Sequence, residues 1–207
     1  MALCLPIHLK NPEPRKIKQV VAALGRGELV VIPTDSGYSI CCAYDQKSSV
    51  EKIRRLCKLK PDHYFTLFCP SLSALTQFVK VDNTAFRYIK KHSPAPITYI
   101  LPATREAPKY ILNPKEKTVG VRISCNPIFS AIVSDFDKAL AGCSVPVPPD
   151  SWPLIMPEEI LLTEMHMISI VIDAGPQVAE HASIVDLTCQ PPVLLRQGVV
   201  AKVDLDF

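Results

Sequence analysis

The residues with the clearest chemical potential stand in a short turn, Pro33-Thr34-Asp35-Ser36-Gly37-Tyr38, directly after the apolar run 29–32. We expect that run to form a buried strand that the following proline ends. Polar side chains at a strand end face the crevice where open α/β sheets bind ligands. Thr34 and Ser36 supply hydroxyl groups, and Gly37 allows a ligand to approach the backbone closely. The same residue types form ordinary turns, which composition alone favours.

Positive charge is concentrated further along the chain, at the end of a predicted amphipathic helix that begins near Ser48. Five basic residues fall within nine positions: Lys52, Arg54, Arg55, Lys58 and Lys60. Basic side chains at a helix C-terminus complement the helix dipole, and a solvated basic surface is the commoner interpretation of such a run. The sharper hypothesis is a phosphate clamp in which Lys58 and Lys60 stand two residues apart beside Pro61.

A third candidate is a charged residue inside an alternating strand pattern. Over residues 118–123 one face carries Val119, Val121 and Ile123, and the other carries Thr118, Gly120 and Arg122. Arg122 anchors a carboxylate or a phosphate if its face lines a cleft, and otherwise belongs to a solvent-exposed face. Ser183 and Arg196 stand at the edges of the last predicted strands, where either is more often a surface residue than a ligand.

Several site classes are excluded. The seven glycines form neither GxxxxGK nor GxGxxG, and no GxSxG elbow is present. The eight cysteines contain no CxxC pair and mostly lie in apolar runs, so we expect reduced, buried thiols rather than disulfides or a zinc site. The five histidines are scattered singly and form no metal-type cluster.

Bulk properties indicate one globular domain over residues 1–207. The chain is 48% hydrophobic and 21% charged, with a net charge of +3, which is ordinary for a folded domain and too mild to imply nucleic acid. No apolar run reaches the roughly 18 residues of a membrane span. Because the first ten residues also lack the features of a signal peptide, we expect a cytoplasmic protein that does not associate with a membrane.

The elements that must position these residues follow from hydrophobic periodicity. The pattern predicts seven or eight strands interleaved with four or five helices, and a large twisted mixed sheet of the α/β class with helices packed on it. The predicted helices are 14–24 closed by Gly25, one capped by Ser48 and Glu51, one capped by Asp82, 126–136, and 158–165. The predicted strands are 29–32, 65–69, 97–101, 118–123, 139–143, 168–172, 184–187 and 193–195. Residues 146–157 are expected to form a proline-rich loop.

Six short segments, taken in order, strongly resemble the YrdC/YciO family over about residues 7–200. They are Pro33-Thr34-Asp35-Ser36-Gly37-Tyr38, Lys58-Leu59-Lys60-Pro61, Pro94-Ala95-Pro96-Ile97-Thr98, Val119-Gly120-Val121-Arg122-Ile123, Ser183-Ile184-Val185-Asp186 and Arg196-Gln197-Gly198. Tyr64-Phe65-Thr66-Leu67 and the variant Asp35-Ser36-Gly37-Tyr38 look most like the YciO branch. The chain resembles the family's short form, without the additional C-terminal domain.

The resemblance implies a YrdC-like fold with a basic cavity on one side of the sheet. It also implies an activity, the synthesis of threonylcarbamoyl-AMP and pyrophosphate from L-threonine, bicarbonate and ATP with Mg²⁺. The product of that reaction serves the threonylcarbamoyl modification of tRNA. Such a nucleotidyltransferase needs no covalent nucleophile, because its work is positioning and charge neutralisation. Other family members have been regarded as binders of double-stranded RNA.

The resemblance also assigns individual residues. On the threonine side it places Thr34, Ser36, Arg122 and Ser183, with Arg122 on the carboxylate. On the nucleotide side it places Lys58, Lys60, Thr98, Ser144 and Arg196.

Three positions depart from the family pattern. Its Ser-Ala-Asn motif is Ser144-Val145-Pro146 here, its arginine is Lys60, and a family histidine aligns with Cys69. A lysine does not reproduce bidentate phosphate contact. Three functions therefore remain open: a threonylcarbamoyl-AMP synthase, a double-stranded RNA or tRNA-binding module, and a nucleotide-binding YciO-type paralogue without efficient synthase activity.

Overall fold

The hydrophobic runs of the sequence pair into a ten-stranded mixed sheet and a separate two-stranded ribbon. The computed structural model describes residues 2–60, 63, 65–146, 154–162, 167–178, 180–201 and 205. The strands are β1 Leu3–Pro6, β2 Leu29–Thr34, β3 Gly37–Ala43, β4 Thr66–Phe68, β5 Ile97–Pro102, β6 Thr118–Arg122, β7 Leu140–Ser144, β8 Leu154–Ile155, β9 Ile168–Asp173, β10 Gln177–Val178, β11 Ser183–Asp186 and β12 Val193–Arg196. The expected mixed sheet with packed helices is confirmed.

The order across the large sheet is β1-β9-β2-β3-β7-β4-β6-β5-β11-β12, and β8 pairs with β10. The described residues thus form more strands than the seven or eight that the sequence pattern predicts. The most important addition is β3, which is buried on both faces along its whole length. A strand buried on both faces has no polar alternation, so its sequence carries no period of two.

Helices cover both faces of this sheet. They are α1 Pro14–Gly25, α2 Lys47–Leu56, α3 Leu72–Phe78, α4 Asn83–His92, α5 Pro127–Phe136 and α6 Pro157–Leu162, with a 3-10 turn at Lys109–Ile111. The buried residues of α1 and α5 form one apolar cluster with β1, β2 and β9. Those of α2, α3 and α4 join a larger cluster on the other face. None of the helices in the described part of the chain combines the length and the apolarity that a membrane crossing requires.

The prediction that Pro33 ends the first buried strand is wrong. Strand β2 continues to Thr34, and Pro33 and Thr34 pair with Tyr38 and Gly37 of β3. The proline is tolerated because pairing of β2 with its other neighbour, β9, ends at Val31, so no ladder bond requires an N–H at position 33. The chemically promising turn is therefore the tip of a β-hairpin.

Two of the predicted helix ends also differ. Gly25 lies inside α1, and Gly27, with φ of 76°, takes the left-handed conformation instead. No capping box forms at Ser48, because α2 begins one residue earlier and Gln46 is its N-cap. The predicted caps Asp82 and Asn126 are confirmed by hydrogen bonds from backbone N–H groups one turn ahead.

The C-terminal predictions are tested only in part. The predicted helix 158–165 corresponds to α6, and residues 163–166 lie outside the described residues. Most of the predicted proline-rich loop, residues 147–153, also lies outside them. Leu154–Ile155 within that loop form β8 instead.

Candidate functional site

Strand register gathers most of the predicted ligand residues on one face of the sheet. Ser39 of β3 pairs with Ser144, Thr66 of β4 pairs with Gly120, and Ile184 of β11 pairs with both Thr98 and Arg196. Because paired residues and alternate residues along a strand share a face, this face carries Thr34, Thr98, Arg122, Ser144 and Arg196. We call it the site face. The intervening residues pack in the larger apolar cluster on the opposite face.

The site face is partly open. Helices α1 and α5 pack over β1, β2 and β9 and reach Phe68 of β4. On the same face Ser144 and Arg196 are exposed, whereas Thr98 and Arg122 are buried. The space above Gly120 is filled by its neighbours, because an added Cβ would lie 2.9 Å from Thr98 Cγ2.

A buried ion pair closes one end of the site face. The Asp35 side chain, at the tip of the β2–β3 hairpin, binds Arg122 at the end of β6, and the two side chains are only 7% and 4% exposed. Ser124 Oγ donates to Asp35 Oδ1 at 3.0 Å, and the Cys125 backbone N–H donates to Asp35 Oδ2 at 3.0 Å. Burial raises the pKa of Asp35, but Arg122 and the hydrogen bonds outweigh it and hold that pKa below its ordinary value.

The hydroxyl groups of the hairpin tip are held by the turn and by the arginine. Thr34 Oγ1 donates to the Gly37 carbonyl at 2.7 Å and accepts from the Ser36 N–H at 3.2 Å. Ser36 Oγ accepts from Arg122 Nη1 at 3.0 Å. The structure therefore brings three predicted residues, Thr34, Ser36 and Arg122, into direct contact, with the Thr34 hydroxyl serving the turn itself.

The guanidinium of Arg122 retains one unused donor. Its Nε is buried and has no hydrogen-bond partner, and the group lies over the Phe68 ring, 5.5 Å from the ring centre. A buried donor without a partner is costly and is found where a ligand or water can satisfy it. Burial, followed by the charge of Arg122, lowers the pKa of Arg196. The two positive charges thus act on each other, and an anion near both would relieve their repulsion.

Arg196 and Ser183 are tied to the backbone near the sheet edge. Arg196 Nε and Nη2 both donate to the Ala182 carbonyl, at 3.2 and 3.0 Å. Ser183 is fully buried, donates to the Val200 carbonyl at 2.9 Å and accepts from the Gly198 N–H at 3.0 Å. Its register partner, Ile97, lies in the opposite cluster. Ser183 therefore holds the chain end in place and lies apart from the other predicted residues.

The predicted phosphate clamp directly follows α2, the helix that packs on the opposite face of the sheet. Cys57, at the end of α2, and Cys143, at the end of β7, have their sulfurs 3.6 Å apart, so the residues that follow them, Lys58 and Ser144, belong to adjoining segments. Lys58 and Lys60 are exposed. Lys58 has φ of 49°, the left-handed conformation that usually falls to glycine after a helix.

A cleft adjoins the ion pair on its far side. Its volume is about 500 Å³, and its walls come from the segments that follow β4 and β6, together with α4 and α5. Ser124 and Cys125, which bind Asp35, line it together with Cys69 and Lys90. Within the described residues no group of three or more His, Cys, Asp or Glu side chains could hold a metal ion.

Sequence reasoning missed Asp35 and Ser124 as members of this site. The one available signal was an acidic residue in a strand-end turn and a serine directly after the strand that carries Arg122. No local sequence pattern predicts their contact, because 89 positions separate the two residues.

Comparisons with known proteins agree with this architecture. The Sua5/YciO/YrdC family model, described as "Telomere recombination", matches residues 22–198. The chain is 38% identical over 193 residues to an uncharacterized protein of Haemophilus influenzae, covering 93% of each chain. It is 36% identical to the uncharacterized protein YciO of Escherichia coli over 93% of this chain and 94% of that protein. It is also 24% identical to the threonylcarbamoyl-AMP synthase of Pyrococcus abyssi, over 90% of this chain and 55% of that protein.

Solved structures share the fold. The crystal structure of E. coli YciO superimposes with a TM-score of 0.91 at 35% identity, covering 97% of this chain and 98% of that one. The structure of P. abyssi Sua5 in complex with L-threonine gives a TM-score of 0.88 at 22% identity, covering 99% of this chain and 60% of that one. The family match, the identities and the shared sheet lead to one conclusion: this chain belongs to the Sua5/YciO/YrdC family.

Proposed function

We propose that this protein binds ATP and L-threonine on the site face and, with bicarbonate, forms threonylcarbamoyl-AMP and pyrophosphate. The observation that carries the proposal is the alignment of Thr34, Thr98, Arg122, Ser144 and Arg196 on one face. The threonylcarbamoyl-AMP synthases among the relatives, and the L-threonine bound to P. abyssi Sua5, add support.

The residue types suit this chemistry. The threonine amine and bicarbonate condense to a carbamate with loss of water, and a carbamate oxygen attacks the α-phosphorus of ATP as pyrophosphate leaves. The protein supplies position and positive charge, which is the main requirement of transfer at phosphorus. Mg²⁺ would enter with the ATP phosphates and neutralise part of their charge. No enzyme thiolate is needed, and burial raises the pKa of the nearby Cys125 thiol to about 11.

Arg122 would receive the threonine carboxylate through its Nε. That donor is buried and unpartnered, whereas Nη1 and Nη2 already bind Ser36 and Asp35. A carboxylate oxygen accepting from Nε would satisfy the orphaned donor, a gain of about 1–3 kcal/mol for a group that is otherwise buried without a partner. Arg196, within electrostatic reach of Arg122, would then face the nucleotide phosphates together with Lys58 and Lys60.

The nucleotide side is weaker than the family pattern. Pro146 follows Val145, whose N–H donates to the Tyr38 carbonyl at 3.0 Å, and proline offers no amide donor where the pattern has asparagine. Lys60 replaces a bidentate arginine. Losing two contacts of roughly 1–3 kcal/mol each lowers ATP affinity by one to several powers of ten. Pro146 therefore favours a second candidate, a nucleotide-binding paralogue that acts on a different acyl acceptor.

Two measurements separate these functions. Pyrophosphate release from ATP, at high protein concentration with saturating L-threonine and bicarbonate, tests the synthase, and no release under these conditions would refute it. Calorimetric titration of ATP and of L-threonine tests the site. We expect Lys58→Ala to weaken ATP binding by about tenfold, the loss of one charge-assisted contact, and to leave L-threonine binding unchanged.

Lys52→Ala is the matched control, because Lys52 is an exposed lysine of α2, the helix that Lys58 follows. It should leave ATP affinity unchanged. Equal losses for the two variants would mean that only the general charge of the helix matters, and ATP binding that Lys58→Ala does not weaken would contradict the proposed clamp. ATP binding without threonine-dependent pyrophosphate release would favour the second candidate.

A further inference from the structure

Two cysteines meet where the end of α2 reaches the end of β7. The Cys143 thiol donates to the Cys57 sulfur over 3.6 Å, and both are free thiols. A disulfide bond is about 2.05 Å long, so the sulfurs need to approach by only about 1.5 Å to bond. Bond formation here requires a small movement of two segments that already touch.

The two members of the pair differ in a way that suits oxidation. Cys57 is half-buried, so an oxidant reaches it, whereas Cys143 is nearly fully buried behind it. The hydrogen bond from Cys143 lowers the pKa of Cys57 despite burial, which raises the fraction of the reactive thiolate. Cys57 is thus the attacking sulfur and Cys143 the resolving one.

The other described cysteines lack this combination. Cys41, Cys42 and Cys69 are buried, and burial raises the pKa of each thiol. The exposed Cys125 donates to Asp35, and its pKa is raised to about 11. Burial likewise raises the pKa of Cys4, and no other described cysteine has a second thiol as its hydrogen-bond partner. Reactivity should therefore concentrate at the Cys57–Cys143 contact.

We propose that Cys57 and Cys143 form a redox-active dithiol that hydrogen peroxide converts reversibly into an intramolecular disulfide. The Cys57 thiolate attacks one peroxide oxygen, the O–O bond breaks, and the departing hydroxide takes up a proton to become water. The Cys143 sulfur then attacks the sulfenic sulfur of Cys57 and loses its proton, and the S–O bond breaks to release a second water. Two thiols lose two electrons and two protons, and a thiol reductant reverses the change by exchange.

The position of the dithiol gives it a consequence that rests on the proposed function. Cys57 precedes Lys58 and Cys143 precedes Ser144 in the chain, so the disulfide would tie together two segments of the proposed nucleotide side. Oxidation should then change the ATP affinity. If neither the reduced nor the oxidised protein binds ATP, the proposed function fails. Formation of the disulfide still tests the dithiol proposal in that case.

The test is a peptide map of the wild-type protein after brief treatment with equimolar hydrogen peroxide, followed by alkylation of the remaining thiols. A peptide linking Cys57 to Cys143 should be the first oxidation product and should disappear on treatment with dithiothreitol. In Cys143→Ala, oxidation of Cys57 should stop at a sulfenic acid that a dimedone probe captures. Cys125→Ser should still give the linked peptide. Earlier oxidation of Cys4, Cys125 or Cys189, or a link between different cysteines, would overturn the proposal.

Discussion

Asp35 and Arg122 form a buried ion pair although three strands, β3, β7 and β4, separate their strands in the sheet. Neighbouring strands are rotated by roughly 20–25°, so the rotation from β2 to β6 approaches a right angle. The β2–β3 hairpin tip therefore reaches the end of β6. The ion pair holds the hairpin tip against the arginine that ends β6.

Replacing the carboxylate should be costly. Asp35→Asn leaves the Arg122 charge buried without its partner, and breaking a buried pair in this way costs about 3–5 kcal/mol of unfolding free energy. Chemical denaturation of wild type and variant measures the difference. Asp45→Asn is the matched control, because Asp45 pairs with Lys138 at 3.0 Å in an exposed position, where such a pair contributes about 0–1 kcal/mol. Similar losses for both variants would refute the special role of the buried pair.

The same pair predicts an acid-sensitive contribution to stability. The folded-state pKa of Asp35 lies below its ordinary value, so the contribution is fully present above the unfolded-state pKa of about 3.9 and is lost as the pH falls through the folded-state pKa. The stability difference between wild type and Asp35→Asn should be constant from about pH 7 to pH 5 and shrink below about pH 4. Denaturation curves at several pH values measure it, and a difference that grows on acidification would contradict the assignment.

Gly120 should tolerate no side chain. A Cβ at this position would lie 2.9 Å from Thr98 Cγ2 and 3.3 Å from the Phe65 carbonyl oxygen, so Gly120→Ala should cost about 1–3 kcal/mol through overpacking. Thr98→Ser removes the nearer methyl group, and the double variant should recover part of the loss. Thermal unfolding of the two single variants and the double variant measures the coupling. Strictly additive effects would show that the two residues do not meet on the site face.

We expect Lys58 to lower the stability of the protein while it contributes to ATP binding. Its φ of 49° destabilises the folded state by about 1–2 kcal/mol for any residue that carries a side chain. Glycine removes this strain, but it loses more backbone entropy on folding, so the net gain is smaller. Lys58→Gly should therefore stabilise the protein by about 0.5–1 kcal/mol and weaken ATP binding. Thermal unfolding and calorimetry measure the two effects.

The backbone control for that substitution is Asp137→Gly. Asp137 ends α5 with φ of 53°, so its replacement should shift stability in the same direction and leave ATP affinity unchanged. A Lys58→Gly variant that is both less stable and fully able to bind ATP would remove the structural reason for a lysine at this position.

Local sequence patterns predicted the helices and strands that are specified by interactions between residues close together in the chain. The period of residues 14–24 predicted α1, the caps Asp82 and Asn126 predicted the starts of α4 and α5, and the alternation of residues 118–123 predicted that Arg122 shares a face with Gly120. Each of these signals depends on neighbours within one helical turn or one strand. The YrdC/YciO resemblance rested on the order of short segments and was confirmed by the family match.

Features that depend on strand register, or on contacts between residues far apart in the chain, emerge only from the tertiary structure. Strand β3 carries no alternation because both of its faces are buried. Ser183 lies on the opposite face from Thr98 because β5 and β11 pair Ile97 with Ser183, and a shift of one residue would have reversed that outcome. The residue types of the site can therefore be read from the sequence. The pairing of Asp35 with Arg122 depends instead on the order of the strands from β2 to β6 across the sheet, which no single segment of the chain encodes.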